Sequence, residues 1–179
     1  MARGLLIIDI QRDYFPGGAF PLVEPEAAAQ AARRVLDGFR AREESVVHLQ
    51  HVWDAPDATF MRPGTDGVEI HALVAPRDGE MVIEKAEPNG FRDTSLEQEL
   101  RSRGIDELVV AGMMSSMCVD ATVRAAVDLG FTTTVVHDAC AAPDLQFQGT
   151  NVGGAVAHAA FMAALADGYA SVVSADELD

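Results

Sequence analysis

Short apolar runs that stop on a polar or ionisable residue, separated by stretches with helical spacing, constrain the fold of this chain more than any other feature. "GLLIIDI" (4–10) is continuously apolar until Asp9, the pattern of a strand buried on both faces of a parallel sheet. "SVVHLQHV" (45–52), "EMVIEK" (80–85), "ELVVAGM" (107–113), "TTTVVHDA" (132–139) and "ASVVS" (170–174) read as five more strands. Helical spacing runs through 25–42, with Pro25 in the first turn, and through 94–104, where Thr94 or Ser95 is the N-cap and Gly104 the stop. Two further helices are predicted over 118–130 and 151–168. Strands that alternate with helices need crossover connections, which place helices on both sheet faces. The prediction is a three-layer α/β/α fold with a six-stranded, mainly parallel sheet. A chain of 179 residues suits one core, hence a single domain over 1–179.

Composition narrows the function. With 13 Lys+Arg against 28 Asp+Glu, the formal charge of -15 repels a phosphate backbone or an anionic bilayer, so neither nucleic acid nor membrane is an expected partner. The two cysteines, Cys118 and Cys140, lack CxxC spacing and are read as free thiols in a reducing compartment. "MARGLLIIDIQRDY" reads as neither a signal peptide nor a membrane span, so the expected location is cytoplasmic.

In open α/β sheets, ligands bind beyond the carboxyl ends of the strands. The ionisable residues there are Asp9, His51, Lys85, Cys118, and His137 with Asp138. Singly, each has a plain structural reading: Asp9 a helix-capping carboxylate, Cys118 a small buried apolar residue, Lys85 a solvated surface lysine. Together they make chemical sense. Cys118 follows "GMMSSM" at the start of a helix, where free N–H groups favour a thiolate; a carboxylate takes the thiol proton and an ammonium balances the charge.

"DIQRDYFPGG" (9–18), "KAEPNGF" (85–91) and "GMMSSMCVDATVRAA" (112–126) resemble, in order and spacing, the signature segments of the isochorismatase-like cysteine hydrolases. The resemblance implies a sheet order of 3-2-1-4-5-6, a catalytic triad of Asp9, Lys85 and Cys118, and homo-oligomers. It also implies a non-proline cis peptide before the nucleophile, here between Met114 and Ser115, with an oxyanion hole from the backbone of Met114, Ser115 and Cys118. Ser115 stands where the family usually has threonine. The complete triad points to the amidase, nicotinamidase-related branch, acting on a small molecule.

No metal or other cofactor is expected. Where nicotinamidases of the family hold a metal through Asp-Trp-His and a nearby histidine, this chain has "HVWDAPDATF", and His48 and His51 fall on opposite faces of a strand. Gln11, Tyr14, Phe15, His51, Trp53 and Phe91 are the candidates for substrate contact, and the polar loop 53–67 has the length of a lid. Three alternatives stay open: a vinyl-ether hydrolase of the isochorismatase type, a Cys-His hydrolase using His137, and a binding or thiol redox protein on the same scaffold.

Overall fold

A computed structural model describes residues 2–178. The main sheet is built from β1 Ala2–Ile8, β2 Ser45–His51, β3 Met81–Lys85, β4 Ile105–Met113, β5 Thr132–Ala141 and β8 Ser171–Val173, all parallel, in the order β3-β2-β1-β4-β5-β8. The first strand is the centre, paired with β2 from Gly4↔Ser45 to Ile8↔Leu49 and with β4 from Ala2↔Ile105 to Ile8↔Gly112. Because side chains alternate across a strand, Leu5 and Ile7 enter one core layer and Leu6 and Ile8 the other.

The first layer is covered by α1, Pro25–Ala41, whose Ala28, Ala32, Leu36 and Phe39 pack on Leu5, Ile7, Val109 and Ala111. Leu36 and Phe39 are fully buried, each worth about 1.5–3 kcal/mol of apolar transfer. The opposite layer gathers α2 (Leu96–Ser102), α3 (Asp120–Asp128) and α4 (Gly154–Gly168) through Leu96, Leu100, Val123, Met162 and Leu165. Ser95 is the N-cap of α2 without a side-chain cap hydrogen bond, while Thr94, one residue before it, accepts from Leu96 N–H at 3.3 Å. No helix among the described residues is long and apolar enough to cross a membrane.

Three expectations need correction. Residues 151–153 precede α4, and an unforeseen antiparallel hairpin occupies this region: β6 Leu145–Phe147 and β7 Thr150–Val152. Its turn, Gln148-Gly149, has positive φ at both residues, the geometry that matches strand twist. Second, Cys118 does not open α3. It lies in a wide turn, Ser115–Val119, closed by Val119 N–H on the Met114 carbonyl at 3.1 Å, a five-residue ring of the π type. Third, the cis peptide joins Met113 to Met114, one bond earlier than expected, at the junction where β4 ends and the turn begins. Gly112, at φ +150°, makes the approach possible: a Cβ there would overlap the Ile8 carbonyl of the central strand.

Candidate active site

Three segments converge at the carboxyl edge of the sheet. Asp9 directly follows β1 with φ 51°, a left-handed conformation that Asp tolerates better than most residues. Its N–H still bonds Leu49 O at 3.1 Å, while Gln11 N–H reaches Asp9 O at 2.9 Å, so the chain turns at once and leaves the carboxyl over the sheet end. Lys85 is the last residue of β3, in register with His51 on β2. Cys118 comes from the turn after β4, on the other side of β1.

Lys85 Nζ lies 2.6 Å from Asp9 Oδ2, with both side chains fully buried. The ammonium also contacts the Glu87 carbonyl at 3.0 Å and His51 Nδ1 at 3.1 Å. Ligating atoms of Asp9, His51 and Cys118 are within 4.8 Å of one another, the kind of cluster that holds a transition metal. Here an internal cation already engages it: the Lys85 ammonium contacts both Asp9 and His51. The donor set therefore fits an ammonium rather than a metal ion.

Burial raises the Asp9 carboxyl above its usual range, although the Lys85 charge and the Lys85 and Cys118 contacts pull it down. At Lys85 burial opposes the charged form but the Asp9 and Cys118 charges outweigh it, so the ammonium is held above its ordinary value. Burial, and then the Asp9 charge, push the Cys118 thiol well up. This reverses the expectation of a thiolate favoured by a helix start, because the sulfur sits in a buried turn beside a carboxylate. One ammonium supports one anion, and at rest the proton is on sulfur.

Cys118 opens on a cavity of about 320 Å³ whose lining also includes His51, Tyr14, Trp53, Phe60 and Met117. Of the predicted substrate contacts, Tyr14, His51 and Trp53 are on this wall. The other three are not. Gln11 is fully buried and clamps the backbone of His51, donating from Nε2 to its carbonyl and accepting its N–H at Oε1, both at 2.8 Å. Phe15 stacks on His71 with ring centres 3.8 Å apart, along a separate groove. Phe91 stacks on Phe131 at 5.8 Å and packs in the core layer below the sheet. The cavity is also lined by Met114, expected only to contribute its backbone to the cis peptide and oxyanion hole, and by Met117, which the sequence marks only as part of a turn. His137 lies beside His158, ring centres 6.5 Å apart, and is not on the cavity wall that carries Cys118. His158 Nδ1 bonds Ser115 Oγ at 2.8 Å, tying α4 to the cysteine turn. In the loop 53–67, Trp53 N–H bonds Met61 O at 2.9 Å and Met61 N–H bonds the buried carboxylate of Asp13 at 2.6 Å, so the loop is pinned to the segment after β1.

The family model described as the isochorismatase domain matches residues 3–177. The chain belongs to the isochorismatase family. It is 49% identical to the isochorismatase family protein YddQ of Bacillus subtilis, over 96% of each chain. A crystal structure of an isochorismatase-type hydrolase from Oleispira antarctica superposes with a TM-score of 0.95 at 47% identity, covering 98% of this chain and 95% of that one. The similarity extends to amidase-type relatives. Streptothricin hydrolase of Streptomyces noursei is 39% identical over 80% of this chain but only 51% of its own length. Nicotinamidase of Escherichia coli is 29% identical over 82% and 86%. N-carbamoylsarcosine amidase of Thermoplasma acidophilum has a TM-score of 0.82 at 26% identity, covering 100% of this chain and 99% of that one. The chain is thus an isochorismatase-family hydrolase with amidase-type relatives.

Proposed function

We propose that the protein is a cysteine-dependent amidase that cleaves a C–N bond of a small, uncharged molecule through a thioester. The observation that carries this reading is the buried Asp9–Lys85 pair at 2.6 Å with the Cys118 sulfur within 4.8 Å of the same carboxylate at the wall of a cavity. Asp9 accepts the thiol proton while sulfur attacks the amide carbon. N–H groups at the start of the Ser115–Val119 turn, free of intrahelical partners, hold the oxyanion. Asp9 then passes the proton to the departing nitrogen, and the C–N bond breaks to leave the acyl group on sulfur. Water gives a proton to Asp9 and its oxygen attacks the thioester carbon; sulfur leaves, regains the proton, and the acid departs. Lys85 remains charged throughout.

The lining argues for a neutral substrate. Trp53, Phe60, Met114 and Met117 are apolar, and neither Arg nor Lys is among the cavity's lining residues. A dianion such as isochorismate would be desolvated there without a counter-ion.

The test is acid release from a panel of primary amides, ureido and carbamoyl compounds, cyclic amides such as the streptothricin lactam, and isochorismate. Wild-type protein should hydrolyse at least one amide and show a trapped acyl adduct on Cys118 by mass spectrometry. Cys118→Ala should fold and lose turnover by about a thousandfold or more. Amide turnover surviving in that variant refutes the covalent route, and turnover of isochorismate alone favours the vinyl-ether reading.

A further inference from the structure

Lys85 determines the hydrogen-bonding state of its neighbour. An ammonium only donates, and beside its ion pair with Asp9 Oδ2 the Lys85 ammonium hydrogen-bonds the Glu87 carbonyl and His51 Nδ1. Nδ1 of His51 is therefore the lone-pair nitrogen, which leaves the ring hydrogen on Nε2. Burial, then the Lys85 charge, keep this imidazole neutral, its pKa pulled down to about 4. The backbone of His51 is fixed on both its N–H and its carbonyl by the buried Gln11. Nε2 has no hydrogen-bond partner among the described residues, and His51 lies on the cavity wall with Cys118. The Tyr14 hydroxyl and the Trp53 indole N–H are the other polar side-chain groups on that wall beside the thiol; a hydroxyl turns to donate or accept, whereas the imidazole Nε2–H and the indole N–H can only donate.

We infer that His51 Nε2–H is a substrate contact that reads a neutral hydrogen-bond acceptor close to the scissile carbonyl. The preferred substrates are then uncharged amides with an acceptor, such as a second carbonyl oxygen or a ring nitrogen, on an otherwise apolar body. The inference rests on the amidase reading for its kinetics but not for its binding. A site built around a donor discriminates strongly against an analogue of the same shape without the acceptor, because the donor is then desolvated unpaired.

Benzamide and the three pyridinecarboxamides provide such a set, with one shape and a ring nitrogen moved around it. In wild-type protein at least one isomer should exceed benzamide in kcat/KM by about tenfold. His51→Met should flatten that ratio to about twofold or less, whatever its effect on absolute rates through Lys85, and His51→Gln, which keeps an N–H donor, should restore most of it. An unchanged ratio in His51→Met overturns the inference. Nitrogen-15 spectra of the free wild-type protein supply a second reading: a neutral Nε2–H tautomer for His51 is expected at neutral pH, and an Nδ1–H tautomer or an imidazolium overturns it. If none of these amides is hydrolysed, the amidase reading loses support while the inference is still decided by titration. A saturable Nε2 shift with a pyridinecarboxamide and none with benzamide supports it; equal shifts, or none, refute it.

Discussion

Replacing Lys85 with methionine keeps an unbranched stem one atom shorter and deletes its charge, and the geometry of the pair sets the outcome. Asp9 and Lys85 are 2.6 Å apart with no solvent access to either side chain, so Asp9 in the variant is a buried carboxylate without a counter-ion. Removing one member of such a pair costs about 3–5 kcal/mol. In a chain of this size each kcal/mol moves the melting temperature by about 2–4 °C, so the midpoint should fall by roughly 6–20 °C. The Asp9→Asn, Lys85→Met double variant removes both charges and the desolvation each requires. It should return to within about 1 kcal/mol of wild type or exceed it, while being inactive. The deficit of the single variant should also depend on pH in a definite sense. Burial already raises the folded-state pKa of Asp9 above its usual 3.8, and loss of the cation raises it further. A raised carboxyl contributes least destabilisation below the unfolded pKa and most above the folded one, so the deficit should be small near pH 3.8 and grow as pH rises. Urea unfolding followed by circular dichroism on the four proteins gives the coupling energy directly. A Lys85→Met protein as stable as the double variant would refute the reasoning, as would a double variant as unstable as the single one.

Lys85 is the chain's only lysine, which makes its own proton linkage readable. Its pKa in the folded protein is raised above the ordinary 10.5, so the stability it contributes is complete below about pH 10.5 and lost as pH climbs through the folded value; the alkaline slope in urea unfolding should be steeper for wild type than for Lys85→Met, and parallel slopes would contradict this. Asp13→Ala should leave Ala19 N–H and Met61 N–H without the carboxylate they now share at 3.0 and 2.6 Å, costing about 1–3 kcal/mol per orphaned group. Since the loop it pins carries Trp53 and Phe60, KM should rise with the loss of melting temperature, and an unaltered KM would detach that loop from substrate binding.

The features legible in the sequence are those that local pattern decides. The apolar runs locate all six strands of the main sheet, and the rule that ligands gather beyond strand ends brings Asp9, His51, Lys85 and Cys118 together without reference to tertiary structure. The features that escape it depend on packing between distant segments. Gln148-Gly149 lacks the Asn-Gly signature of a tight hairpin, and the apolar composition of α4 hides the hairpin before it. No propensity signals that Val119 N–H will reach back five residues to Met114, so the pattern places the start of α3 too early. Phe15 and Phe91 sit in the motif segments that carry Asp9 and Lys85, but their rings turn to His71 and Phe131, a choice made by neighbours far along the chain. One signal of the site is compositional: a lone lysine after an apolar strand in a chain whose other 12 cationic side chains are arginines.

The sheet order explains why a lysine is needed. β2 separates β1 from β3, so the gap to be crossed is about twice the strand spacing, or roughly 9–10 Å. A long unbranched stem crosses it with a point charge that can donate in three directions, to Asp9, to His51 on the intervening strand, and to the Glu87 carbonyl. Only one cation results, and two acids, Asp9 and Cys118, compete for it. In the proposed chemistry that limit is what makes a buried, weakly acidic thiol usable. Releasing its proton to water would leave two anions against one ammonium in a dry pocket, at a large desolvation cost. Passing it to Asp9 exchanges thiol and carboxylate for thiolate and carboxylic acid at constant total charge, so the nucleophile forms when the acyl carbon is there to meet it and never needs to be stored as a free anion.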